Sequence, residues 1–260
     1  MSLLSTAQEK LSLMQSKKVL ILGGTRDARQ LAFRLIHAGH DVTTSFAGVT
    51  EHPVQPEGKV RVGGFGGVEG LRQYLQAEKY DVLVDSTHPF AAIISANAAE
   101  AAGDILLLRL ERPAWTPKPN DQWIDVADIQ NAVDALPLQA SVMLTIGRKE
   151  VAPFIAREDL SGVARMIEPT PIQLPANWSL MLERPPFSLE SETTLLREHN
   201  ITHLVSKNAG SSDTETKLIA ARNLQIPVIM IARPFKPPVK TYSSVEAINT
   251  LISKLGSKTC

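Results

Sequence analysis

Short apolar runs alternate with stretches of helical spacing along the chain. Val19–Leu22 is continuously apolar, the pattern of a strand covered on both faces. Ala28, Leu31, Ala32, Leu35 and Ile36 then recur at helical spacing, and Gly39 supplies a stop, which predicts a helix over 25–39. Asp41–Phe46, rich in β-branched residues, predicts a second strand. Val60–Val62, Tyr80–Asp85 and Asp104–Arg109 predict three more, with helices over 68–76 and 89–102 between them. Three prolines within Glu111–Pro119 then break the rhythm, as a joint between lobes would. Trp123–Val126 reads as a strand or an extended crossover.

The alternation restarts in the second half. Strands are predicted at Ser141–Ile146, Gly162–Ile167, Trp178–Leu182, Ile201–Val205 and Pro227–Ile231, and helices over 189–199, 214–223 and 244–255. The sum is an α/β protein of two Rossmann-like lobes, each with a parallel sheet, and a cleft between them. An N-terminal extension covers 1–16, a nucleotide-binding lobe 17–120 and a second lobe 121–260.

Composition narrows the classes. With 43% hydrophobic and 21% charged residues, a packed core is within reach and disorder is not indicated. Lys plus Arg and Asp plus Glu both number 27, and a chain without net charge is not expected to be a general nucleic-acid binder. The one cysteine, Cys260, ends the chain, which excludes an internal disulfide framework and a cysteine zinc site. No H-x-x-x-H pattern suggests a metal. The first sixteen residues lack the uninterrupted apolar core of a secretory signal, and no apolar run reaches a membrane span. A soluble, cytoplasmic protein with no membrane partner is expected, its oligomeric state open.

Candidate chemistry gathers at strand ends. Gly23, Gly24 and Thr25 form a strand–turn–helix junction that points backbone N–H groups and a helix N-terminus at a phosphate. Glycine there allows close approach. The turn reads G-G-T-x-x-A, short of the full dinucleotide fingerprint, so a turn with no nucleotide is the alternative. The second strand ends in Thr44 and Ser45, where NAD-binding units carry an acid for the ribose 2′-OH. Hydroxyls tolerate a 2′-phosphate, which tilts the expected cofactor to NADPH, with NADH the alternative. Gly63–Gly67 holds four glycines in five residues, adding Gly64, Phe65 and Gly66 as cofactor-binding candidates. Asp85, Thr87 and His88 stand at the next strand end. Thr87 and His88 join the cofactor set, and His88 is a candidate acid, an anion ligand or a structural residue. Ser86 or Thr87 could cap the helix that follows.

In the second half Arg148 with Lys149, Lys207 and Arg233 follow three predicted strands. In a doubly wound lobe they share one edge and suit a polycarboxylate or a phosphate, unless each is simply a solvated charge. There is no G-x-x-x-x-G-K-[ST] and no G-x-S-x-G. Asp85 is the main carboxylate at a strand end, so the chemistry is expected to come from a cofactor.

Six segments together resemble the precorrin-6A reductase family of cobalamin biosynthesis, with its cobalt-precorrin-6A counterparts. They are Ile21-Leu-Gly-Gly-Thr25, Val62-Gly-Gly-Phe-Gly-Gly-Val-Glu-Gly-Leu71, Asp85-Ser-Thr-His-Pro-Phe-Ala-Ala92, Arg112-Pro-Ala-Trp115, Thr145-Ile-Gly-Arg148 and Ser206-Lys-Asn-Ala-Gly210. The resemblance runs from about Lys17 to the final helix. It implies that NADPH reduces one carbon–carbon double bond of the precorrin-6A macrocycle by hydride transfer to a ring carbon, giving precorrin-6B. The partner is then a tetrapyrrole polycarboxylate. Arg112, Trp115, Arg148, Lys207, Asn208 and Arg233 become substrate-binding candidates, and His88 and Lys207 candidate proton donors beside water. A nicotinamide-dependent reductase of another substrate and a non-catalytic nucleotide-sensing module are the alternatives.

Overall fold

A computed structural model describes residues 16–48 and 54–256. The expected extension falls outside the described residues apart from Ser16, and so does Cys260. The described residues divide into two compact units, 16–112 with 235–256, and 113–234.

The first unit holds β1 (Lys18–Leu22), α1 (Arg26–His37), β2 (Asp41–Phe46), β3 (Lys59–Val62), α2 (Gly67–Glu78), β4 (Val82–Asp85), α3 (Ala92–Ala101) and β5 (Leu106–Leu110). The chain then makes the second unit from β6 (Trp123–Val126), α4 (Ile129–Asp134), β7 (Ser141–Thr145), α5 (Ala152–Ile155), β8 (Ser161–Met166), β9 (Trp178–Leu182), α6 (Leu189–Glu198), β10 (His203–Lys207), α7 (Thr216–Asn223) and β11 (Val228–Ile231). Finally β12 (Lys240–Tyr242) and α8 (Val245–Gly256) return to the first unit.

Both sheets are six-stranded and wholly parallel, in the orders β12-β5-β4-β1-β2-β3 and β6-β11-β10-β7-β8-β9. Counted from β1 and from β7, the five strands that remain when β12 and β6 are set aside follow one plan, 5-4-1-2-3. The repeat legible in the sequence is therefore a repeat of topology.

The apolar run of β1 reflects cover on both faces. Val19 and Ile21 pack with Leu31 and Leu35 of α1 and Ile248 and Ile252 of α8, while Leu20 and Leu22 pack with Leu71 and Leu75 of α2 and Ala98 of α3. Each such side chain contributes roughly 1.5–3 kcal/mol by leaving water.

Several expectations shift. The boundary expected near 120 falls between Arg112 and Pro113, and the closing helix, expected in the second lobe, belongs to the first unit. The cause is β12, which pairs with β5 in the register Lys240↔Leu108 to Tyr242↔Leu110. It carries α8 onto α1, where Val245, Ile248 and Ile252 complete the apolar cluster. Three largely exposed residues following Pro237 and Pro238 carry no readable strand signal. The short helices α4 and α5 were not predicted either, since one or two turns give too few positions for a period to show. Trp123–Val126 is a strand, paired with β11. Helix α3 starts at Ala92 rather than Pro89, because the Ala91 N–H closes a turn on the His88 carbonyl at 2.8 Å.

Candidate functional site

The C-terminal ends of β1 to β4 share one edge of the first sheet, and strand order reverses between β1 and β4, the place where doubly wound sheets take ligands. The glycines there serve different ends. A Cβ at Gly23 would stand 2.7 Å from Thr44 Cγ2, so packing requires that glycine. Gly24 has φ +110°, with no atom within 4 Å of an added Cβ. Gly64 lies outside the left-handed region, and it too has nothing within 4 Å. Neither backbone conformation nor packing calls for glycine at 64. What remains is open space in front of its peptide, the cradle that a phosphate or ribose needs.

Gly66, at φ +80°, is the N-cap of α2. Phe65 turns its ring into the cluster of Leu71 and Leu75, with a tilted contact to Tyr74 at 5.3 Å between centroids. Its carbonyl lies where a Cβ of Gly70 would be, so this loop sits directly on the first turns of α2.

Thr25 joins two of the loops. Its hydroxyl accepts from Ala28 N–H and donates to the Ser86 carbonyl, both at 3.0 Å, capping α1 while tying it to the end of β4. Thr44 is fully buried, on the Val42 side of β2, and its hydroxyl has no hydrogen-bond partner among the described residues. Ser45 projects to the other face, opposite Arg61 in the register. At the end of β4, Asp85 is buried against Arg109 of β5 with an N···O distance of 3.1 Å. Burial alone would push its carboxyl up. Hydrogen bonds from Thr87 and Ser95, the Lys236 ammonium and Arg109 hold it below the usual carboxylate range. The Thr87 hydroxyl is spent on Asp85 at 2.7 Å and caps nothing. His88 is exposed, its Nδ1 accepting from Phe90 N–H at 3.3 Å.

In the second unit β11, β10 and β7 are parallel neighbours, so Arg233, Lys207 and Arg148 do emerge at one edge. Each is also tied down. Lys207 pairs with Glu150, and Arg148 donates to the Pro169 carbonyl at 3.3 Å. Arg233 braces the loop after β10, through Nε to the Asn208 carbonyl at 2.9 Å and Nη2 to the Ala209 carbonyl at 3.2 Å. The Asn208 side chain turns to the backbone of Trp115. Arg112 belongs to the first unit, paired with Asp27 of α1 at 3.0 Å.

A buried charged cluster outside the candidate residues lies below this edge. Lys217 of α7 is 5% exposed, donates to Thr145 Oγ1 at 3.0 Å and lies 5.5 Å from the centroid of the Trp115 ring. Burial pushes its amine down to about 7; the Arg165 guanidinium adds to the shift and the Glu192 carboxylate opposes it. Arg165 of β8 and Glu192 of α6 form a buried pair at 2.8 Å. The signal was available: Lys217 shares a helix face with buried Ala220 and Ala221, and Arg165 interrupts an apolar strand. Arg61 also lies outside the candidate residues. Its place opposite Ser45 depends on the register between β2 and β3.

Comparison with known proteins gives a family match over most of the chain. The profile of the family described as Precorrin-6x reductase CbiJ/CobK matches residues 18–254. A precorrin-6A reductase of Rhodococcus erythropolis is 44% identical over 246 residues, covering 93% of this chain and 98% of the relative. A cobalt-precorrin-6A reductase of Priestia megaterium is 29% identical over 249 residues, covering 88% and 96%. The solved structure of CobK precorrin-6A reductase superposes with a TM-score of 0.87 at 40% identity, covering 93% of this chain and 98% of that one.

Proposed function

The chain belongs to the Precorrin-6x reductase family, and we propose that it reduces precorrin-6A to precorrin-6B in cobalamin biosynthesis, using NADPH. The cofactor, when bound, supplies a hydride.

The open cradle at Gly64 carries the nucleotide half of the proposal. With Gly24 and Gly66 it offers peptide N–H groups at the edge where β1, β2 and β4 end, and Ser45 stands where an NAD-binding unit would carry an acid. Arg148, Lys207 and Arg233 at the edge of the second sheet suit a macrocycle fringed with acetate and propionate groups. Reduction of one ring double bond also needs a proton at the neighbouring carbon. Lys207 is already engaged by Glu150 and His88 is exposed, so we assign no side chain as an obligatory donor. Hydride transfer depends more on holding two π-systems face to face away from water. Identity of 44% to a relative named for the metal-free substrate, against 29% to one named for the cobalt form, favours the metal-free macrocycle.

The test is absorbance at 340 nm with purified protein, enzymatically prepared precorrin-6A and NADPH, with NADH in parallel. Loss of the 340 nm band with a matching change in the macrocycle spectrum is expected. Nucleotide binding without turnover on either the metal-free or the cobalt substrate would leave a sensing module.

A further inference from the structure

We propose that Arg61, with Ser45, reads the 2′-phosphate of the nucleotide and so sets a preference for NADPH over NADH; this deepens the nucleotide reading above and rests on it. Arg61 and Ser45 are directly opposed on the parallel strands β3 and β2. Both side chains therefore project from the same face of the sheet, one residue short of the strand ends. The guanidinium sits over two rings. It lies 3.8 Å from the centroid of the Phe65 ring and 5.1 Å from that of Tyr74. Nη1 reaches the Ser45 hydroxyl at 3.4 Å and the Gly63 carbonyl at 2.5 Å, and Nη2 the Gly64 carbonyl at 2.9 Å.

Three features mark this arginine as more than a brace for the glycine loop. All of its partners are neutral: two carbonyls, a hydroxyl and two rings. Among the described residues no carboxylate offsets its charge. The other strand-end arginines of this unit differ, since Arg109 and Arg112 both meet an aspartate. Second, it stands beside the end of β2, where dinucleotide folds place the adenosine ribose, and there a cation discriminates a 2′-phosphate from a 2′-hydroxyl. Third, a planar guanidinium fixed by stacking has little rotamer freedom left to lose on meeting a phosphate, and its fork matches the oxygens. Thr44, the other hydroxyl of the strand end, points into the core and takes no part.

The experiment is nucleotide binding to the full chain, read by NADPH and NADH fluorescence and, in separate calorimetric titrations, with 2′,5′-ADP and 5′-AMP as fragments. The wild type is expected to bind NADPH at least tenfold more tightly than NADH, and 2′,5′-ADP more tightly than 5′-AMP. Arg61→Ala is expected to weaken NADPH and 2′,5′-ADP tenfold or more while NADH and 5′-AMP stay within about twofold. Arg61→Lys keeps a cation without the fork and should lose part of the preference, which covers the case in which the alanine variant disturbs the loop. Equal losses for both nucleotides would make Arg61 a loop brace and overturn the proposal, as would a wild type that binds both without preference. A wild type that binds neither nucleotide overturns the nucleotide reading itself, a distinct result.

Discussion

The carboxamide of Asn208 satisfies both backbone polar groups of Trp115, accepting from its N–H at 2.7 Å and donating to its carbonyl at 3.0 Å. The two residues are 93 positions apart. The clamp is tight for a second reason: the peptide of Gly210 lies so close to Pro113 that a Cβ would stand 1.9 Å from its carbonyl oxygen. Asn208, a substrate-binding candidate by sequence, thus also fastens the backbone at Trp115. Asn208→Ala strands two backbone groups and should cost roughly 1–3 kcal/mol. Asn208→Asp keeps the acceptor, loses the donor and should fall between. Urea denaturation followed by circular dichroism ranks the three. Unchanged stability in both variants would mean the clamp contributes nothing.

Gly23 and Gly64 predict opposite phenotypes for one substitution. Gly23→Ala drives a methyl into the Thr44 side chain and should destabilise the protein by about 1–3 kcal/mol. Gly64→Ala meets no atom and needs no unusual backbone angle, so thermal stability should hold while NADPH affinity drops at least fivefold. Melting curves beside nucleotide titrations on both variants decide it. Intact affinity in Gly64→Ala would remove the cradle.

The Asp85–Arg109 pair is almost wholly enclosed, at 1% and 7% side-chain exposure. Arg109→Met leaves a carboxylate buried with fewer partners and should cost about 3–5 kcal/mol at neutral pH. Asp85 is held below the usual carboxylate range, so its contribution is present above the unfolded value and is lost as pH falls through the folded one. The gap between wild type and variant should therefore narrow below about pH 4. The double variant Asp85→Asn with Arg109→Met should recover part of the loss. A gap that stays constant into acid would show that the charge on Asp85 is not what Arg109 offsets.

For Lys217 stability moves with pH in the same direction, in a higher window and through an amine. Burial lowers its amine from 10.5 to about 7, so between those values the unfolded chain holds a proton that the folded chain lacks. Stability then rises with pH across that window, by at most about 1.4 kcal/mol per pH unit from this one group. Lys217→Met removes the slope. Whatever constant offset the lost bond to Thr145 adds, the variant should compare best with wild type at pH 7 and below, and progressively worse toward pH 10. Parallel stability curves over that range would contradict a buried, deprotonated amine.

His88 and Lys207 test the proton side of the reaction. His88→Ala and Lys207→Ala are each expected to keep kcat within about tenfold, since proton transfer by a positioned acid would contribute 10²–10⁴-fold. A variant that binds nucleotide and macrocycle normally yet loses nearly all turnover would restore that side chain as the acid.

Legibility in the sequence followed the range of the interactions. Val19–Leu22 announced a doubly covered strand, and Gly63–Gly67 announced a turn with room in it, because both signals are local. Thr44 and Ser45 could not be told apart, because which of two neighbours faces the core depends on the packing of α1 over β2. Arg61 and Asn208 were opaque for the same reason: their partners are set by a strand register and by a contact across 93 residues. Cations at strand ends were legible as a set. Their bonds to Glu150, Pro169 and the loop after β10 were not.

The late return of β12 and α8 has a consequence for how the molecule comes into being. A ribosome delivers the chain from its N-terminus. When residue 112 has emerged, the first sheet still ends at β5, with Leu108–Leu110 unpaired on one side. Arg109 also lacks the Pro237 carbonyl that it donates to at 3.0 Å. The apolar cluster over α1 still lacks Val245, Ile248 and Ile252. All six strands of the second unit, 123–231, are synthesised before those pieces arrive. The half of the protein that begins first is thus the half that finishes last, and a nascent chain stalled short of residue 240 carries a bare strand edge of the kind that invites pairing with a neighbour.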